Sequence, residues 1–375
     1  MAEPPGAPAM SPDSIDPILR ARRAVGDLFT PDPRIYWADL LASLVVGYAA
    51  AAVHLVAPVG SAVQLAAWLL SGCALFRSSV FMHEIVHFRR GEMTGFTVAW
   101  NLLFGIPFLM PSFLYEHHLA HHNVRHYGTP RDAEYLPLAG GSLLGVAAFL
   151  AEIFLLPLLA LVRFLVVAPV SFLHPGLRRF ALERCSPLVI NPWHRRSIPE
   201  DAPRRLWAAV ELACMAQAVL FCALPFIASV HVGSWSVALG WPALIKIYLL
   251  AVLALGLNHV RTLAAHRYRG TGDAMSMAEQ LADSVNVEGR TPLVTLFFPV
   301  GLGYHALHHL FPSIPYHNLG RAHRRIMAEL PDWRAYRDAT CGSFSAVLAE
   351  LLGDVRRSTA APQPPAARWY ARVGR

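Results

Sequence analysis

Imidazole recurs at helical spacing in three stretches of this 375-residue chain. In "HEIVH", His83 and His87 stand at i and i+4, which a helix brings onto one face, one turn apart. In "HHLAHH", His118, His121 and His122 stand at i, i+3 and i+4, within about a 100° arc of a helix, with His117 and His126 beside them. "HALHH" repeats the pattern at His305, His308 and His309. Neutral imidazole suits first-row metals such as iron, copper and zinc, and eight clustered ligands exceed what one tetrahedral site can use, so two metals are implied. One H-x-x-x-H taken alone reads equally well as two histidines satisfied at a helix end; an H-x-x-H-H that occurs twice after it does not. A zinc hydrolase of the H-E-x-x-H type would bind through His83 and His87 with Glu84 as general base, and would leave the other two clusters without a role. Soluble di-iron proteins use Glu and Glu-x-x-His on a bundle, whereas carboxylates are sparse here, so that likeness extends to chemistry and not to ligand type.

The elements that must position these groups are apolar. With 55% hydrophobic residues, only 15% charged and a positive mean hydropathy, the chain reads as all-α and embedded in a membrane as a multi-pass protein. Apolar segments lie at 36–58, 61–82, 97–114, 141–173, 205–230 and 236–258, where about 20 residues are needed to cross a bilayer. Four fit a single crossing. The segment 97–114 is short and carries Pro107 and Pro111, and 141–173 is too long for one crossing and too short for two, with Pro157 and Pro169 inside it. Lys246 is the only lysine, and the arginines cluster at 20–23, 178–205, 261–269 and 321–337, as in segments kept on the cytoplasmic side. A nucleic-acid partner is therefore the weaker explanation of the net charge of +7. The five cysteines, Cys73, Cys185, Cys214, Cys222 and Cys341, form no C-x-x-C pair and read as buried small hydrophobes. The N-terminus shows no cleavable signal peptide, so the first span is expected to direct insertion.

Together "HEIVH", "HHLAHHNVRHYGTPRDAEYLP" and "YHALHHLFPSIPYHNL" resemble the three histidine boxes of the integral-membrane fatty acid desaturase family, over residues 36–335. The resemblance implies a non-haem di-iron centre in a cap on the cytoplasmic ends of a four-helix membrane bundle. It would activate O2 with two electrons from an external ferredoxin-type or cytochrome-type donor and remove two hydrogens from an acyl-chain lipid. By position the iron ligands would be His83, His87, His118, His121, His122, His305, His308 and His309, with no catalytic residue beyond the metal centre. A further ligand between the second and third boxes falls on His266 in "NHVRTLAAHRY". Some members hold a water on one iron through an Asn one turn earlier; this chain departs from them with Thr262.

Boxes that share a metal cluster must lie on one side of the membrane. Two hairpins, 36–58 with 61–82 and 205–230 with 236–258, return all three boxes and His266 to the side where the N-terminus begins. Arg20, Arg22, Arg23, Arg89 and Arg90 make that side cytoplasmic. Parity then requires 97–114 and 141–173 to be re-entrant or interfacial. The expected organisation is a disordered cytoplasmic segment at 1–30, a membrane domain at 31–340 and a cytoplasmic tail at 341–375, whose proline-rich 360–366 does not fold alone. Lys246 is expected to snorkel from the outer end of the last span. His174 in "HPGL" reads as a loop residue, so electrons come from a separate partner, and His54, His194, His231 and His323 read as exposed or capping. His117, His126 and His317 are candidates to orient the ligands, and Asp132, Glu134, Asp283 and Glu288 to accept imidazole N–H groups. Two other readings stay open: a related di-iron hydroxylase or ketolase acting on alkanes, carotenoids or sphingolipids, and a non-enzymatic metal-binding or transport protein. The latter calls for histidines within spans, whereas here they lie at or beyond the ends.

Overall fold

The computed structural model describes residues 16–373 apart from 233, 234, 290, 362 and 363. The described residues are mostly helical, with two short two-stranded pairings among them, Ser229–Val232 with Trp235–Ala238 and Asn286–Val287 with Thr340–Cys341. Among the described residues five helices are long and apolar enough to cross a membrane: Pro33–Val56, Ala62–Ile85, Leu143–Ser171, Arg204–Phe226 and Trp241–Thr262. The first begins at Asp32, whose carboxylate accepts the Arg34 N–H, with Pro33 at the first helical position. The second is capped by Ser61. Small residues let these helices approach closely: a Cβ on Gly72 would fall 2.3 Å from a Leu253 methyl, and Ser71 donates to the Gly47 carbonyl at 2.9 Å.

The doubtful segments are now defined. The stretch after the first box forms the helix Thr94–Trp100, widens at Asn101–Gly105 and turns back at Leu109, which adopts a positive φ of 57°. Asn101 staples the two arms, donating to the Ser112 hydroxyl and accepting the Ser112 N–H. Segment 141–173 differs from expectation: Pro157 does not break it, and it runs as one helix to Ser171.

Several charged and aromatic groups read as exposed are instead buried. Lys246 does not snorkel. It is 8% exposed and donates to the carbonyls of Leu55 and Ala57 at 2.8 and 3.0 Å, satisfying the orphan acceptors at the end of the first long helix. Of the isolated histidines, His54, His194 and His323 are buried; His323 bonds the Tyr336 hydroxyl at 2.8 Å and His194 the Arg131 carbonyl at 2.9 Å. The His231 side chain lies outside the described residues. His174 is a helix cap, its Nδ1 accepting the Gly176 N–H. Among the cysteines only Cys214 is fully buried, and Cys222 is exposed.

The chain ends also pack. Residues 1–15 lie outside the described part, but Ala21, Val25 and Leu28 join the same core as Leu319, Ala322 and Ile326. Beyond residue 341, the amphipathic helix Phe344–Thr359 buries Phe344, Val347, Leu351 and Val355. Pro362 and Gln363 fall outside the described residues. Trp369, in the next helix, is fully buried and donates to the Gly128 carbonyl at 3.0 Å. The expected unfolded stretch at 360–366 is thereby corrected at Ala366, buried against Gly140: few apolar groups suffice when the domain supplies the other wall.

Glu211, fully buried, accepts from Arg163 at 2.5 Å and from Arg178. Replacing Glu211 with Leu strands the Arg163 charge, which is 3% exposed. The expected loss is about 3–5 kcal/mol, read as a lower melting temperature in detergent. An unchanged melting temperature would show that both arginines find other acceptors.

Candidate metal centre

The structure brings together all nine histidines singled out in the sequence, as two adjoining groups. His83, His87, His118, His122 and His308 form one; His121, His266, His305 and His309 form the other. In each, one nitrogen per ring lies within 4.8 Å of the rest. Each element delivers its rings differently. The first box is the last turn of Ala62–Ile85 and the residues just past it. The second is a single turn, His118–His121, after the re-entrant arm. The third is the short helix His305–Leu310, held by Asn286, whose side-chain oxygen accepts the Leu307 N–H at 3.0 Å. His266 follows Trp241–Thr262 and pairs through its backbone with Ser284.

Carboxylates stand beside the outer nitrogen of three of the rings. His121 donates its Nδ1–H to Asp132 at 2.9 Å, and His118 lies 2.9 Å from Glu134 through Nδ1. His266 reaches Asp283 through Tyr127: Nδ1 to the hydroxyl is 2.7 Å, and that hydroxyl donates to Asp283 at 2.9 Å. Burial holds the Tyr127 hydroxyl well above its ordinary pKa, so it stays protonated as a donor. With their Nδ1 atoms so committed, these rings turn lone pairs inward. The Nε2 atoms of His121 and His266 then stand 3.1 Å apart, those of His266 and His305 2.8 Å, and those of His118 and His122 2.9 Å. The buried Nε2 atoms of His83 and His87 have no hydrogen-bond partner at all.

These nitrogens fit a pair of cations. Two nitrogens about 2.1 Å from one first-row metal at a right angle stand about 3 Å apart, which is the spacing found. Burial first, and then the other histidines, push His118, His122, His266, His305, His308 and His309 well below the ordinary imidazole pKa. They are neutral, the form that ligates. His121 differs: burial opposes its charge, but Asp132 outweighs it and raises the pKa, so the site attracts positive charge there.

The hydrolase alternative loses its base. Glu84 accepts from the Tyr36 hydroxyl at 2.5 Å and the Tyr316 N–H at 3.1 Å, and so ties two helices together. Of the proposed orienting groups, Asp132, Glu134 and Asp283 take that role, while Glu288 faces His323 at 3.4 Å instead. His117 and His126 make no hydrogen bond to a box histidine, and His317 accepts the Asp32 N–H. The Thr262 hydroxyl is engaged by the Asn258 carbonyl and by Arg261. Sequence reasoning missed Tyr127, which sits in the quoted second-box motif, and Tyr115, three residues before His118, whose hydroxyl lies 3.2 Å from its Nδ1.

The centre opens onto a cavity of about 440 Å³. His83, Tyr115, Glu134 and Arg261 lie on its wall, and Leu156, Leu161, Phe221, Leu244 and Tyr248 are among the residues that extend it between the long helices.

Two outcomes follow. His266→Ala should lower the metal bound per chain and abolish turnover. His259→Ala, one ring seven residues earlier, should leave the metal in place and cost less; equal, near-normal metal in both variants would remove His266 from the ligand set. Burial also pushes His87 and His117 down to about 4 from 6.5. The unfolded chain then binds these protons at a higher pH than the folded one, so their contribution to stability is whole above about pH 6.5 and is lost as pH falls toward 4. The melting temperature of the metal-free protein should decline across that window; a flat profile would contradict buried neutral rings.

The fatty acid desaturase family model matches residues 60–340. A ceramide hydroxylase of Caulobacter vibrioides (strain NA1000 / CB15N) is 39% identical over 346 residues, covering 89% of this chain and 92% of that protein. The match contains all three boxes and His266, and the chain belongs to the fatty acid desaturase family.

Proposed function

We propose that the chain is a membrane oxidoreductase that holds two irons on its nine clustered histidines and uses O2 and two external electrons to oxidise an aliphatic carbon of a lipid, by hydroxylation. The observation that carries this reading is the opening of the histidine cluster, at His83, onto a long cavity with largely apolar walls. Bound there, iron would supply the O2 activation and C–H oxidation that no side chain here can perform. The protein's part is different. Asp132 and the Asp283–Tyr127 pair hold His121 and His266 in one tautomer, and the apolar walls align an alkyl chain and exclude bulk water. In hydroxylation one C–H bond breaks, one oxygen atom enters the C–O bond, and the other leaves as water with two protons and two electrons. Desaturation breaks two C–H bonds and sends both oxygens to water for the same electrons. Desaturation comes first from the motifs; we nevertheless read hydroxylation of a sphingolipid as the reaction, supported by the similarity to a ceramide hydroxylase over nine-tenths of the chain. The electrons come from a separate ferredoxin-type or cytochrome-type protein.

We read four helices as crossing, with the boxes on the cytoplasmic side. The second box meets His266, so the three long helices between them make an even number of crossings. Leu143–Ser171 is the one that lies along the interface. Its start follows Gly140, bonded by Ser358 and Ala366 of the cap. Near its other end Arg163 bonds the Cys185 carbonyl at 2.7 Å, next to Ser186, which donates to Leu114 beside the second box.

Lipid profiling of an expressing host under ¹⁸O2 tests the chemistry. A lipid that gains one labelled oxygen is the expected product. Loss of two hydrogens without label would reassign the reaction to desaturation, and an unchanged lipid profile with purified protein that binds zinc and no iron would overturn the reading altogether.

A further inference from the structure

Outside the ligand set, a file of four rings leads from the third box toward the surface. Tyr304 caps the start of the helix His305–Leu310 and is the chain neighbour of His305. Its ring centroid lies 5.2 Å from that of His323, on the helix Tyr316–Glu329. The His323 ring is 5.6 Å from Tyr336, and Tyr336 stacks on Trp333 at 5.2 Å. His323 and Tyr336 are 0% and 1% exposed, whereas Trp333 is half-buried. The file thus joins a ligand's neighbour to the solvent side.

The polar contacts within it fix where the protons lie. His323 holds its Nδ1 2.8 Å from the Tyr336 hydroxyl. Its Nε2 is buried, makes no hydrogen bond among the described residues, and lies 3.4 Å from the Glu288 carboxylate. An ionised carboxylate can only accept, so the ring proton belongs on Nε2 and Nδ1 is a lone pair. The Tyr336 hydroxyl is therefore the donor. The Glu288 side chain is 48% exposed, which connects the imidazole to water. An apolar pair would fill the same space without the cost of burying a hydroxyl and an imidazole.

A phenol loses an electron readily only when its proton leaves with it, because the oxidised ring is a strong acid while it keeps that proton. Here a base stands at hydrogen-bond distance, and a carboxylate in water stands behind the base. The tyrosines nearer the metal centre lack such an outlet. Tyr127 donates to Asp283, which is 5% exposed, and Tyr115 meets His118, itself one of the clustered rings. A proton released there would stay among the ligands.

We propose that Tyr336 is a redox-active tyrosine, which gives one electron to the O2-oxidised metal centre when no lipid fills the cavity, and that His323 and Glu288 carry away its proton. This rests on the lipid-oxidation reading above for the oxidant. In the step the Tyr336 O–H bond breaks. Its proton goes to His323 Nδ1 as the Nε2 proton passes toward Glu288, and its electron goes past His323 and Tyr304 to the centre at His305, which is reduced by one electron. Tyr336 remains as a neutral phenoxyl radical. One electron from the external donor, entering at Trp333, and one proton returned through Glu288 restore it. Oxidising power that finds no substrate is thereby spent away from the imidazoles.

The test detects the radical directly. Iron-loaded, reduced full-length protein in detergent, free of lipid, is mixed with O2 and frozen for electron paramagnetic resonance. A tyrosyl signal is expected, narrowed when the protein is made with ring-deuterated tyrosine. Tyr336→Phe should lose it, and His323→Ala should lower its yield about tenfold, the worth of one hydrogen bond to a charged group, with iron content and melting temperature measured on both variants. Glu288→Gln, a change at an exposed side chain, should slow its appearance and tests the proton route should either buried variant fail to fold. A signal that survives in Tyr336→Phe, or a rate untouched by Glu288→Gln, would overturn the relay. Lipid oxidation and O2 uptake with no radical would refute the relay alone, whereas iron-loaded protein that takes up no O2 would overturn the oxidation reading and the relay with it.

Discussion

Nine imidazoles gathered out of water turn nitrogen lone pairs toward common centres, and the rest of the structure depends on how that is arranged. Asp132 takes the Nδ1 proton of His121 directly and Asp283 takes that of His266 through Tyr127, while Glu134 stands 2.9 Å from the Nδ1 of His118. What remains inside is a set of lone pairs 2.8–3.1 Å apart among the pairs His266–His305, His118–His122 and His121–His266. Such an arrangement is repulsive until a cation occupies it. The outer hydrogen bonds therefore turn these lone pairs toward a common centre that could hold a metal ion.

That constraint explains the architecture around it. Each group of rings draws on all three boxes or on two boxes and His266, so no single helix can form a site. The ends of Ala62–Ile85 and Trp241–Thr262 must meet the short turn at the second box and the helix His305–Leu310. Between them, Asn286 and Ser284 anchor the third box and His266. The terminal segments pack onto the same cores: Pro17–Ala24 buries Ala21, and Phe344–Thr359 buries Phe344, Val347, Leu351 and Val355.

Below the cap the demands reverse. The cavity that reaches His83 is walled mainly by apolar residues, a place where an alkyl chain is stable and an oxidant is shielded from water. Ionisable groups at that depth are paired, as Glu211 is with Arg163 and Arg178, or they cap a helix end, as Lys246 does.

The sequence by itself determined whatever depends on local periodicity. Box histidines at i, i+3 and i+4 share a helix face wherever the helix goes, and apolar runs near His83 and His259 announce long helices because hydropathy is a property of each segment alone. His266 became legible through its family motif. Only the tertiary structure decided the rest. Asp132 and not Glu288 holds a box histidine, Glu84 ties Tyr36 to Tyr316, and Lys246 caps a helix some 190 positions away in the chain. The proline-rich end packs for the same reason. Trp369 finds its wall at Gly128, and no composition of the tail could reveal a partner that lies 241 residues earlier. Hydrogen-bond pairing and burial depend on which distant segments meet, and that is settled by packing of the whole chain rather than by any stretch of it.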